Sequence, residues 1–239
     1  MRKGLFLLLV SMFLLAGAVQ AAPLTFFGED LGLGESTPLA THPNADAAQS
    51  NFLSYLVGVG TEDFEGLSGG TSPLAITFPG AGTATLGGTG LVDTVTPGTT
   101  NGYGRYAISG SNYWESGSSF SISFSDPVAA FGFYGIDIGD FDGQLTLALL
   151  DEGGTTTNVT IPNSTNIAGG SVLYFGYIDT LNPFVSATFG NTASGVDFFG
   201  FDDMTIGSIE QVDPTVPEPA SLLLLGSGLL GLAGLRRKK

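Results

Sequence analysis

The 239-residue sequence has no cysteine, one histidine and, between its two ends, one cation. Without cysteine there is no disulfide, no thiol nucleophile and no thiolate zinc site. With His42 the lone imidazole, zinc centres built on nitrogen and sulfur are excluded as a class. Six of the seven basic residues are Arg2, Lys3, Arg236, Arg237, Lys238 and Lys239, which leaves Arg105 alone among 21 of the 22 acids. Nucleic-acid binding needs a cationic footprint to release phosphate counterions, and the interior has none. Such an acidic surface favours solubility and divalent cations and repels anionic headgroups. The missing cysteines fit a secreted domain large enough to fold without covalent staples.

Both ends are apolar. Arg2 and Lys3 precede an uncharged run from Leu5 to Val19, followed by Val-Gln-Ala at 19–21. This is the pattern of a secretory signal peptide over 1–21, with cleavage expected after Ala21. A cut after Ala22 would leave Pro23 first and is disfavoured; an uncleaved anchor is the alternative. At the other end, Ser221 to Leu235 carries no charge and is followed by Arg236, Arg237, Lys238 and Lys239. As a transmembrane helix these residues would span roughly 22 Å at ~1.5 Å rise, short of a ~30 Å hydrocarbon core. Local thinning and snorkelling cations can make up the deficit. The four cations act as the anchor stop and place the preceding chain outside the cytoplasm. Just before the span, Pro217 and Pro219 flank Glu218. Neither proline has a backbone N–H, and each disfavours helix at its predecessor, so an extended, exposed stub is expected.

Val216-Pro217-Glu218-Pro219-Ala220-Ser221, the short Leu/Gly-rich span and the Arg-Arg-Lys-Lys tail together resemble the PEP-CTERM sorting domain. The same kind of tail is also labelled an ice-binding-protein C-terminal domain, a label that concerns the tail alone. The resemblance covers residues 216–239. It implies recognition of Pro217, Glu218 and Pro219 by an exosortase, transient inner-membrane anchoring, and transfer of the ectodomain to the cell surface or beyond. A plain short anchor with an incidental Pro-Glu-Pro is the alternative.

Between the ends, residues 22–60 read as a lead segment holding one short helix. Ala45 to Leu56 has apolar residues at 48, 52, 53 and 56 on one helical face, with Asn44 or Asp46 as N-cap and Gly58 and Gly60 as stops. From residue 61 to 210 the period changes to two. LAITF (74–78), YGRYAIS (103–109), FSISFS (120–125), AAFGFYGIDI (129–138), QLTLALLD (144–151), VLYFGYID (172–179), FVSATFG (184–190) and DFFGFDDMTIG (197–207) alternate between turn-forming clusters. FSISFS is the clearest, with Phe120, Ile122 and Phe124 inward and three serines outward. No helical pattern separates these runs. The fold class expected is mainly β, an antiparallel, jelly-roll-like β-sandwich, followed by a linker at 211–216. The helix leading into Val59–Gly66, the block from Ala130 to Phe141 and the closing Phe199–Gly207 also resemble ectodomains found in front of PEP-CTERM tails. The closing strand is similar to the last strand of many carbohydrate-binding jelly rolls, in which an Asp holds a structural calcium.

No constellation of nucleophile and base stands out, and no catalytic residue is assigned. His42 lies in a polar lead, where a solvated loop histidine is the ordinary case. Carboxylate pairs suited to a glycosidase are too common among 21 acids to select one. Calcium, if bound, would use Asp137, Asp140 and Asp142 in a glycine-flanked loop, or Asp203 in the last strand, because hard cations take oxygen ligands. An inward Asp there would need a cation or donors. Exposed aromatics could stack on sugars. Trp114 and Tyr113, with Arg105 as a hydrogen-bonding cation, are the candidates, alongside Tyr103, Tyr106, Tyr174 and Tyr177. The favoured function is an exported, non-catalytic surface or matrix protein associated with exopolysaccharide or the cell envelope. Its partners would be signal peptidase, the Sec machinery and an exosortase. A carbohydrate-binding module with structural calcium and a carboxylate-based glycan hydrolase are the competing functions.

Overall fold

A computed structural model describes residues 22–117, 120–193 and 198–213. The described residues form two antiparallel sheets packed face to face, with one α-helix laid across the outside of the larger sheet. Chain order is β1 (Leu24–Leu31), α1 (Pro43–Leu53), β2 (Thr61–Glu62), β3 (Leu74–Phe78), β4 (Gly82–Gly87), β5 (Leu91–Thr94), β6 (Asn112–Gly117), β7 (Ser121–Val128), β8 (Ala130–Ile138), β9 (Leu145–Asp151), β10 (Thr156–Thr160), β11 (Ser171–Ile178), β12 (Phe184–Asn191) and β13 (Phe198–Gly207), closed by a 3-10 turn at Ile209–Gln211. The seven-stranded sheet runs β1-β11-β8-β13-β6-β5, with β2 paired to β13; the six-stranded sheet runs β10-β9-β12-β7-β4-β3.

The six-stranded sheet has one face in water, so its strands alternate. β7 buries Ile122 and Phe124 and exposes Ser121, Ser123 and Ser125, as period two requires. The seven-stranded sheet is covered on both sides, and β8 and β11 are buried along their whole length. Its inner face supplies Phe131, Phe133, Phe199 and Phe201. These meet Phe120 and Phe189 from the opposite sheet, the last two stacked at 4.2 Å. Its outer face carries Tyr134, Ile136, Val172 and Tyr174 beneath α1.

Helix α1 can lie so close because the strands below it carry glycine where it presses. A methyl group added at Gly176 of β11 would fall 2.6 Å from the Phe52 ring, and one at Gly132 of β8 would fall 2.8 Å from it. These two glycines are paired across the strands, forming a trough that the Phe52 ring fills. The "FG" steps in these strands are thus contact points for a helix.

Several boundaries differ from the sequence expectation. β1 falls inside the assigned lead segment, yet it is an edge strand paired with β11 along its length. The helix runs 43–53 and has His42 at its N-cap position with no side-chain cap. Neither Asn44 nor Asp46 caps it. Asp30 of β1 does so instead, its carboxylate accepting the N–H groups of Asn44 at 3.0 Å and Ala45 at 2.9 Å. YGRYAIS is not a strand. Gly102 and Gly104 take φ of +90° and +86°, and the Asn101 side chain accepts the Tyr103 N–H, holding 103–109 as a loop. The presumed linker begins later than residue 211, since Val212 still pairs with Leu56.

Candidate functional site

Two polar networks stand out on the outer face of the seven-stranded sheet. The first is built on Arg105, carried by the 103–109 loop over β6 and β8. Its Nε donates to Glu115 Oε2 at 2.8 Å and its Nη1 to Asp137 Oδ2 at 2.9 Å. Burial alone would lower the guanidinium pKa; Glu115 and then Asp137 more than reverse this, and the pKa is raised. Asn101 Nδ2 also donates to Glu115, at 2.7 Å. Beside them the Tyr113 hydroxyl donates to Asp93 at 2.8 Å. Burial first, and that hydrogen bond second, raise its pKa. Tyr113 is therefore an un-ionised donor.

The second network sits where β13 bulges. Register with β8 shifts between Asp202 and Thr205, and Asp203 takes φ +47°. The fully buried Asp202 accepts the N–H groups of Ile108 at 2.7 Å, Ser109 at 3.3 Å and Asp203 at 2.7 Å. Burial, followed by the charge of Asp203, pushes the Asp202 carboxyl well above the usual carboxylate range. Asp203 accepts the Ser109 hydroxyl at 3.0 Å. Nearby, His42 Nδ1 lies 2.6 Å from Asp46 Oδ1, which also accepts the Tyr134 hydroxyl at 2.8 Å.

The structure brings Arg105, Tyr113 and Asp137 together and separates the other candidates from them. Trp114 is 0% exposed and points into the inter-sheet core, where a methyl group at Gly90 would meet its indole at 2.4 Å. Tyr113 is equally buried, on the opposite face. Neither ring can stack on a sugar. The sequence reading assigns no strand to residues 112–117, whereas the structure makes them β6 and covers both of its faces. The structure places the carboxylates suggested for calcium apart. Asp137, at φ +70°, turns its carboxylate inward to Arg105, while Asp140 and Asp142 are exposed in the following turn. At the other suggested position, the fully buried carboxylate is Asp202, which accepts backbone amides, while Asp203 is half-buried. Among the described residues no three His, Asp or Glu side chains converge to hold a metal.

Two exposed rings were not singled out as a pair. Tyr103 is 66% exposed and Phe198 43% exposed, and both approach the Arg105 guanidinium, at 5.4 and 6.0 Å from the ring centres. Phe198 opens a strand nearly 100 residues away in sequence, so only the β6–β13 pairing of Phe198 with Gly117 could reveal it.

The sorting residues Pro217, Glu218 and Pro219, the cleavage position Ala21, and Arg236, Arg237, Lys238 and Lys239 lie outside the described residues, as does the 221–235 segment. No helix among the described residues is long and apolar enough to cross a membrane.

Three solved structures resemble the domain loosely. The C-terminal family 22 carbohydrate binding module of Clostridium thermocellum Xyn10B is 17% identical, with 67% of this chain and 97% of that one covered and a TM-score of 0.39. The CBM22-1 xylan-binding domain of Paenibacillus barcinonensis Xyn10C is 16% identical, with 66% and 96% covered and a TM-score of 0.38. The K2 cleaved adhesin domain of Lys-gingipain is 16% identical, with 62% and 97% covered and a TM-score of 0.36. Likenesses this distant carry nothing about a ligand. No curated protein matches the sequence. The tail is different: residues 215–238 match the PEP-CTERM protein-sorting motif, so the chain carries an exosortase sorting signal behind its β domain.

Proposed function

We propose that the chain is an exported, non-catalytic surface or extracellular-matrix protein. A signal peptide delivers it through the Sec machinery, its C-terminal span holds it briefly in the inner membrane, and an exosortase cuts at Pro217-Glu218-Pro219. Exopolysaccharide or the cell envelope is its final surrounding, and the sandwich is read as jelly-roll-like. The sorting motif at 215–238 carries this reading. The non-catalytic part is supported by how the reactive side chains are used. Arg105 is shared between two carboxylates, Asp202 is spent on backbone amides, and His42 pairs with Asp46 beside the helix start.

Fractionation of host cells tests this. Full-length protein should reach the surface or medium without its tail. A chain lacking Pro217–Pro219 should stay in the inner membrane with Lys239 attached. Intact tails in both would overturn the reading.

A carbohydrate-binding role is the second reading. It is favoured by the exposed Tyr103 and Phe198 rings around Arg105. Retention on a host polysaccharide that Tyr103→Ala abolishes would support it, and no retention on any polysaccharide would remove it.

A further inference from the structure

The chain leaves the sandwich through a tied strap. After β13, the N–H of Ser208 donates to the Gln211 side chain, closing a capping box. Gln211 Nε2 then donates to the carbonyls of Gly58 at 2.8 Å and Pro79 at 3.0 Å, joining three segments distant in sequence. The Val57 N–H donates to Gln211 O and the Asp213 N–H to Tyr55 O, both at 2.8 Å. Asp213 is therefore held to the fold.

The matched motif begins at residue 215, and Pro217 follows Asp213 by four residues. At ~3.3–3.6 Å per residue, that length of chain reaches at most roughly 14 Å. Any globular enzyme acting at Pro217-Glu218-Pro219 must then come up against this end of the sandwich. A groove of about 540 Å³ is lined by Ala81, Pro127, Pro183 and Ile209, with Asp126 and Glu210 among its walls. Ile209 is 46% exposed, Val57, bonded to the strap, 50%, and Leu181, two residues before Pro183, 44%. Asp126 and Glu210 would repel an anionic leaflet. A protein surface with apolar residues bordered by lysine or arginine complements them.

We infer that this strap end is a docking surface for the processing enzyme. Gln211 is a positioning residue that ties the strap, and so the point where the chain leaves it, to this surface. The inference rests on the sorting reading above and extends it: the enzyme reads the rim of the folded domain as well as the tail.

Pulse-chase cleavage of full-length chains in the host tests it. The chains are the wild type and Val57→Glu/Ile209→Glu, each with and without about twelve Gly/Ser residues inserted after Asp213. Thermal unfolding of the detergent-solubilised chains checks the fold. At native spacing the Glu variant should be cut at least about fivefold more slowly, because carboxylates enter an apolar contact. The insertion should restore its rate, because the longer spacer lets the motif be reached without docking. Equal rates at native spacing would overturn the inference alone, as would slow cutting that the insertion leaves unrepaired. A wild-type chain left uncut would overturn the sorting reading with it.

Discussion

The two faces of the seven-stranded sheet are both buried, yet they are held by different physics. Inside, Phe131, Phe133, Phe199 and Phe201 meet phenylalanines of the other sheet. That contact is area and shape, and it has no hydrogen bonds to satisfy. Outside, Tyr134, Asp202 and Arg105 hold α1 and the 103–109 loop in place through named partners. The inner face supplies the greater share of burial energy; the outer face sets where the loop and helix sit. A mispaired polar group there is penalised in a way a shifted phenylalanine is not.

Breaking each face in turn sharpens that contrast. Phe201 packs against Phe64, Phe120, Phe131, Phe133 and Phe189. Phe201→Ala should lower the unfolding free energy by about 4 kcal/mol in a denaturant titration. A loss under about 1 kcal/mol would mean the inner face is not the main source of stability. Arg105→Met leaves Glu115 and the buried Asp137 without their shared cation. The expected loss is about 3 kcal/mol, and high salt should recover little of it because the pair is shielded from solvent.

Gly176→Ala comes next, at about 2 kcal/mol, because the new methyl overlaps the Phe52 ring. In a Phe52→Ala background the same substitution should be nearly neutral. Equal penalties in both backgrounds would show that the trough does not exist for the helix. The smallest effect is a slope in pH. The native state holds a proton on Asp202 more tightly than the unfolded chain does. Asp202 therefore lowers stability progressively as pH rises from the ordinary aspartate range through its raised native value. Asp202→Asn should flatten that part of the stability profile, and an unchanged slope would show that Asp202 does not carry it.

The same contrast explains what could be read in advance. The six-stranded sheet has a wet face, so LAITF is legible as a strand and FSISFS as a strand together with its inward residues. In the central strands of the seven-stranded sheet, both alternating sets are buried. Of its strands, β8, β11 and β13 are legible as apolar runs, whereas β5 and β6, and with β6 the facing of Trp114 and Tyr113, are not. β1 was overlooked because Glu29 and Asp30 make it look like polar lead. Both acids have partners elsewhere, Glu29 on Ser164 and Ser171 and Asp30 on the helix start. The 103–109 loop imitates a strand because it is rich in aromatic and β-branched residues, while Asp202, which holds it, lies more than 90 residues on. The tail needed no such long-range knowledge. Its three elements are contiguous, which is why the motif was plain in the sequence and the docking rim of the domain was not.

The most direct measurement is the intact mass of the mature protein recovered from its host's surface or medium. Export and exosortase processing require a chain that begins at Ala22 and ends within or near Pro217–Ser221, without Arg236–Lys239. A recovered protein that still runs from Met1 to Lys239 would contradict both signal-peptide removal and exosortase processing.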